Sequence, residues 1–137
     1  MYSIRLDSPD FVFTASHGVR YDDGRLEPLH EHKFRVIATL SGSLNSAGYV
    51  VDFHEIARIL KDILQTWNHA VLFAQTEKES RKSDLENVWV LPIHNTTAEL
   101  LAAQIASQMR KSLADQSVKI TIELEESPGF WGIYSTD

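Results

Sequence analysis

The segment from His30 to Leu40 limits this chain's fold more than any other. It alternates with a period of two, placing His30, His32, Phe34, Val36, Ala38 and Leu40 on one face. Glu31, Lys33 and Arg35 point the other way. Only a β-strand with one apolar face accommodates that pattern. Phe11 to His17 repeats it, with Phe11, Phe13, Ala15 and His17 sharing a face. Between the two lies Gly18 to Leu29, whose Asp22, Asp23, Gly24 and Pro28 mark a loop.

The remaining periodicities add helices and two further strands. Asp52 reads as a helix cap, and Ile56, Ile59, Leu60, Ile63, Leu64 and Trp67 follow at helical spacing. Asn95-Thr96-Thr97 caps a second helix, with Glu99 placed for its N-terminal dipole and Leu101, Ile105, Met109 and Leu113 as its apolar stripe. Val118, Ile120, Ile122, Leu124 and Glu126 share a strand face, Pro128-Gly129 makes a turn, and Phe130 to Tyr134 forms the last strand. Ser41 to Gly48 reads as a turn region leading to a short strand end at Tyr49 to Val51. Asn68 to Phe73 leaves the first helix, Glu77 to Asn87 is charged and reads as an exposed loop or a frayed turn, and Val88 to Leu91 is a short apolar run. The order strand, strand, helix, helix, strand, strand predicts an α+β fold, an antiparallel sheet with two helices on one face.

With 137 residues the chain suits a single domain over 1–137. A net charge of -6 without a Lys/Arg stripe argues against nucleic acid. The absence of cysteine excludes a disulfide scaffold, a thiolate zinc site and a cysteine nucleophile, so a metal site must use His, Asp and Glu. No apolar run reaches membrane-spanning length, and Met1 to Asp10 has no signal-peptide core, which makes a cytoplasmic protein the expectation.

Of the histidines, His17, His30 and His32 matter most, because positions i and i+2 of a strand project from one face. If the two strands pair, the three imidazoles meet. Three such ligands with an open fourth position describe a catalytic zinc site; a cluster of polar strand ends is the competing reading. Glu126 is inward on an otherwise apolar strand face. Either the strand stops at Leu124, leaving Glu126 in solvent, or the carboxylate waits for a ligand with two adjacent N–H donors. Glu27, three residues before His30, is either an ordinary loop carboxylate or a general base reaching the metal site. His69 is either a surface or capping residue or part of the chemistry.

Six pieces occur in order: Phe13-Thr14-Ala15-Ser16-His17, His30-Glu31-His32, Gly48-Tyr49-Val50-Val51-Asp52-Phe53, Asn68-His69, Thr96-Thr97-Ala98-Glu99, and Glu126-Ser127 ahead of Tyr134. Together they resemble the 6-pyruvoyl-tetrahydropterin synthase family, which includes the 6-carboxy-tetrahydropterin synthases of queuosine synthesis. The resemblance covers nearly the whole chain. It implies a tunnelling fold (T-fold), a four-stranded antiparallel sheet with two helices packed on one face, assembled into trimers that pair into hexamers with sites between subunits. It implies that His17, His30 and His32 hold Zn2+, that Glu126 anchors the pterin, that Thr97 lies near the pterin pocket, and that His69 serves a proton relay.

The chain departs from that pattern in three places. The family's synthases carry a cysteine base where this sequence has Leu26, a relay Asp where it has Asn68, and a Gly where it has Glu31. Glu27-Pro28-Leu29-His30-Glu31-His32 is similar to a branch that replaces the cysteine by glutamate at the spacing Glu-x-x-His-Gly-His. That branch cleaves 7,8-dihydroneopterin triphosphate to 6-hydroxymethyl-7,8-dihydropterin, a folate precursor. The resemblance therefore implies a zinc-dependent pterin lyase with Glu27, His69 and Glu126 in the catalysis. The alternatives are a 6-carboxy- or 6-pyruvoyl-tetrahydropterin synthase with a different base, and a catalytically weak pterin-binding relative.

Overall fold

The computed structural model describes residues 1–77, 81 and 85–137. In chain order the elements are β1 (Tyr2–Leu6), β2 (Val12–His17), β3 (His30–Gly42), α1 (Phe53–Trp67), β4 (Ala70–Ala74), β5 (Val88–Leu91), α2 (Ala98–Ser112), β6 (Lys119–Ser127) and β7 (Phe130–Ser135).

The alternating segment found in the sequence becomes β3, whose 13 residues organise the sheet. Its first half pairs antiparallel with β2, from His17 opposite His30 to Val12 opposite Arg35. Its second half pairs antiparallel with β1 along the same edge, from Leu6 opposite Ala38 to Tyr2 opposite Gly42. The other edge of β3 takes β6, and β6 takes β7. Beyond β2 the sheet continues through β4 and β5, both in parallel pairings.

Among the described residues the sheet thus has seven strands in the order β5-β4-β2-β3-β6-β7, with β1 beside β3. The α+β class and the two helices agree with the sequence reading, while the sheet is larger than four strands and partly parallel. The added strands are short. β4 is a nearly continuous apolar run, Ala-Val-Leu-Phe-Ala, mostly buried, so it carries no alternation to read. Tyr49 to Val51 form no strand end: Gly48 turns the chain at φ 91, and Val50 and Val51 enter the core from a loop. Glu77 to Asn87 is not simply an exposed loop, since Glu77 is buried; positions 78–80 and 82–84 lie outside the described residues.

Both helices start on side-chain caps. Asp52 accepts a hydrogen bond from the His54 amide, and Thr97 from the Leu100 amide. Ile56, Leu60 and Leu64 of α1 and Leu101, Ile105 and Met109 of α2 join Phe13, Phe34, Val36, Leu40, Ile120, Ile122 and Leu124 of the sheet in one core. Burial of each of these larger side chains contributes about 1.5–3 kcal/mol. No helix among the described residues is long and apolar enough to cross a membrane.

The strand β7 runs so close to the start of α2 that only glycine fits at 132. A Cβ there would lie 2.5 Å from the Ala98 carbonyl carbon and 2.6 Å from the Glu99 nitrogen. Those are backbone atoms and yield little. Gly132→Ala is expected to lower stability by about 1–3 kcal/mol, seen as a lower urea midpoint at unchanged m-value. An unchanged midpoint would show that α2 is free to move away from β7.

Candidate metal centre and its surroundings

The β2–β3 register decides where the imidazoles lie. His17 and His30 are direct partners, and His32 faces Ala15. The coordinating nitrogens of His17, His30 and His32 all lie within 4.8 Å of one another. His17 is fully buried, whereas His30 and His32 are half-buried. His17 and His32 stand edge-on to Phe34, at centroid distances of 5.4 and 5.7 Å.

Two of the rings are held through Nδ1. His17 Nδ1 donates to the Thr96 carbonyl at 2.8 Å, and His30 Nδ1 to the Pro28 carbonyl at 2.8 Å. A carbonyl only accepts, so each Nδ1 carries a proton, leaving the Nε2 atoms to face Glu126 and Glu27. Metal-binding histidines are oriented in this way. His17 Nε2 is buried and has no hydrogen-bond partner. Glu126 Oε1 lies 2.9 Å from it and 3.9 Å from His32 Nε2, the nearer approach falling outside hydrogen-bond geometry. A buried ring nitrogen facing a carboxylate calls for positive charge, a proton or a cation, between or beside them. The charges agree with this. Burial, reinforced by His17 and His30, holds the His32 pKa below the ordinary imidazole value, a shift that favours the neutral ring a metal ion would need. The contact with His17 holds Glu126 below the usual carboxylate value, despite partial burial. The donor set fits a divalent cation.

The inward alternative for Glu126 is the observed one. β6 continues to Ser127, and its register against β7 shifts between Glu125 and Ser127, a bulge that leaves Glu126 without a cross-strand partner. Bulges of this kind re-aim a side chain. A cleft of about 510 Å³, bordered by Pro9, Val12, Arg35 and Pro128, opens beside His32 and Glu126.

Glu27 also comes to the cluster, with Oε1 3.6 Å from His30 Nε2. Its carboxylate accepts from the Val19 amide at 3.2 Å and the Tyr21 hydroxyl at 3.0 Å. The latter bond is the main reason the Tyr21 pKa is raised. Leu26 is half-buried and bridges to Arg20. Thr97 spends its side chain on the α2 cap. His69 is exposed, with φ 63; its amide donates to the Thr14 carbonyl at 2.6 Å. Among the described residues no hydrogen bond or ring contact joins it to the three histidines. Asn68 Oδ1 accepts from the Thr14 amide at 2.9 Å, which ties the end of α1 to β2. His54 and His94 are exposed.

Sequence reasoning missed three residues here. Thr96 is fully buried, and besides holding His17 it donates from Oγ1 to the Gly18 carbonyl at 3.2 Å. Asn95 accepts from the Arg20 amide at 2.9 Å and donates to its carbonyl at 2.8 Å. Tyr21 is the third. Thr96 and Asn95 carried a weak signal as cap residues, and Tyr21 carried none.

Residues 8–137 match the family model described as 6-pyruvoyl tetrahydropterin synthase. The chain belongs to this family. A Haemophilus influenzae protein named 6-carboxy-5,6,7,8-tetrahydropterin synthase is 31% identical over 133 residues, covering 88% of this chain and 92% of that one. A Plasmodium vivax 6-pyruvoyltetrahydropterin synthase, solved with a catalytic glutamate replaced by alanine, superposes with a TM-score of 0.86 at 18% identity over 99% of this chain and 98% of the other. The Caenorhabditis elegans 6-pyruvoyl tetrahydropterin synthase superposes with a TM-score of 0.69 at 18% identity, covering 99% and 96%. These likenesses show the shared fold.

The donor set leads to a binding prediction. The protein is expected to take up one divalent ion per chain, measured by competition with a chromophoric chelator. Changing His17, His30 or His32 singly to Ala is expected to weaken binding by more than about 100-fold, since changes outside the ligand shell alone cost 10- to 100-fold. Full affinity in any one variant would remove that histidine from the site.

Proposed function

We propose that this chain is a zinc-dependent pterin lyase that cleaves 7,8-dihydroneopterin triphosphate to 6-hydroxymethyl-7,8-dihydropterin, with Glu27 as base. We also propose that it works as one T-fold domain in a cytoplasmic trimer or hexamer. The observation that carries the reading is Glu27 Oε1 at 3.6 Å from His30 Nε2. Leu26, at the position of the cysteine base in the resemblance, offers no proton acceptor. The Plasmodium vivax relative, whose catalytic residue is a glutamate, supports a carboxylate base in this fold.

His17, His30 and His32 would hold the zinc, which as a Lewis acid lowers the pKa of the substrate's vicinal hydroxyls. Glu27 removes the proton from the hydroxyl on the outer of the two carbons. The bond between those carbons breaks, and its electron pair passes into the C=N bond of the pterin ring. The outer fragment departs as an aldehyde carrying the triphosphate. Return of a proton to the carbon left on the ring completes the hydroxymethyl group. The Val19 amide and Tyr21 hydroxyl aim the Glu27 carboxylate throughout. Glu126 would engage the pterin 2-amino group and ring N3–H bidentately, with Thr97 near the pocket.

His69 is tied to Thr14 and, among the described residues, makes no hydrogen bond or ring contact with its own chain's histidine cluster; a relay role for it would fit a site shared between subunits. The open edge strands support such assembly: β5 exposes Trp89 and Val90, and β7 exposes Phe130 and Ile133.

A second reading, a 6-carboxy-tetrahydropterin synthase, is favoured by the name of the Haemophilus influenzae relative. One assay separates them. Zinc-loaded protein incubated with 7,8-dihydroneopterin triphosphate is expected to yield 6-hydroxymethyl-7,8-dihydropterin on chromatography, and Glu27→Ala is expected to lower kcat by about 100- to 10,000-fold. A 6-carboxy product would establish the second reading instead. Unchanged turnover in Glu27→Ala would take Glu27 out of the mechanism.

A further inference from the structure

The loop that carries Glu27, residues 18–29, is pinned from outside the candidate site. Arg81 Nη2 donates to the Gly18 carbonyl at 3.1 Å and to the Glu27 carbonyl at 2.7 Å, joining the loop's entry and exit. Arg81 Nε donates to Glu77 Oε2 at 2.6 Å. Glu77 is 2% exposed, and its Oε1 accepts from the Ala74 amide, at the end of β4, at 2.9 Å. The loop is therefore fastened to the sheet through a buried ion pair.

The packing leaves little slack. A Cβ at Gly18 would lie 2.4 Å from the Glu27 carbonyl oxygen and 2.6 Å from Arg81 Nη2. The Glu27 amide donates to the Val19 carbonyl at 2.8 Å, so main chain and carboxylate of Glu27 are tied to the same short stretch. A guanidinium suits this position because its planar fork serves a carboxylate and carbonyl oxygens at once, which an ammonium on a flexible stem does not. No contact joins Arg81 to His17, His30 or His32 among the described residues.

We infer that Arg81, anchored by Glu77, is a positioning residue that sets the Glu27 carboxylate against the histidine cluster. The inference rests on the reading of Glu27 as base. Small misplacements of a catalytic group are costly, which gives the clamp a kinetic consequence.

Arg81→Lys keeps a cation beside the buried carboxylate and removes the fork. Its kcat on 7,8-dihydroneopterin triphosphate is expected to fall about 10- to 100-fold with KM within about twofold. Metal stoichiometry stays unchanged, and hydrogen exchange at the Val19 and Glu27 amides accelerates. Added to Glu27→Ala, the same change is expected to alter the residual rate by less than about twofold, because it acts through Glu27. Losses that multiply in the double variant, or unchanged exchange in Arg81→Lys, overturn the inference. If Glu27→Ala alone retains full turnover, the base reading fails, and exchange by itself decides whether the clamp holds the loop. Should Arg81→Lys not fold, Glu77→Gln with Arg81→Gln removes both buried charges together and is read against the same outcomes.

Discussion

The register of β2 against β3 is the constraint on which the rest depends. It sets His17 opposite His30 and brings His32 within reach of both. A slip of one residue would turn one strand's histidines to the opposite face. The register is enforced just inside the cluster, where the partners Phe13 and Phe34 stack at 4.8 Å and Trp67 of α1 closes edge-on over Phe13. One face of β3 thus does two jobs. Its far end joins the core beneath the helices, and its near end presents the imidazole nitrogens. The apolar packing that stabilises the domain also fixes the geometry of the polar end.

That polar end is electrostatically unfinished as protein alone. A buried polar atom without a partner costs about 1–3 kcal/mol, and His17 Nε2 is such an atom, facing the Glu126 carboxylate. The Thr96 and Pro28 carbonyls deny the two rings the other tautomer. The bulge in β6 turns Glu126 toward the rings. Each device comes from a different element, and together they raise the local demand for a cation. The segment leading into α2 takes part through the Thr96 carbonyl.

Much of this was legible in the sequence because period-two and period-3.6 patterns report burial directly. β2, β3, β6, both helices and the three histidines all fall on such patterns. β4 and β5 escaped because short apolar runs in parallel pairing have no polar face to alternate with. β1 escaped because its face is mostly exposed: only Leu6 is buried. The Glu126 bulge was half visible, as a carboxylate out of place on an apolar face. The Glu77–Arg81 pair was invisible. A charged stretch reads as solvent-facing, and nothing local says that its arginine reaches carbonyls 54 and 63 positions away. Non-local hydrogen bonds to main chain leave no side-chain pattern to find.

The division of labour between strands and loop bears on how chemistry varies in this fold. The proposed metal ligands sit on paired strands, where backbone hydrogen bonds and the core hold them. The proposed base sits in the connection between those strands, held by the Val19 amide, Tyr21 and Arg81. Replacing a base there, or moving it by one position from 26 to 27, alters which substrate atom it meets without disturbing the register of β2 on β3. The fold therefore tolerates such a change at the cost of re-pinning one loop, and function is grafted onto it through that loop. Glu27 has main-chain and side-chain ties of its own, whereas Leu26 is tied through its backbone bridge to Arg20. The proposed acid–base group is the residue for which the loop has built a socket.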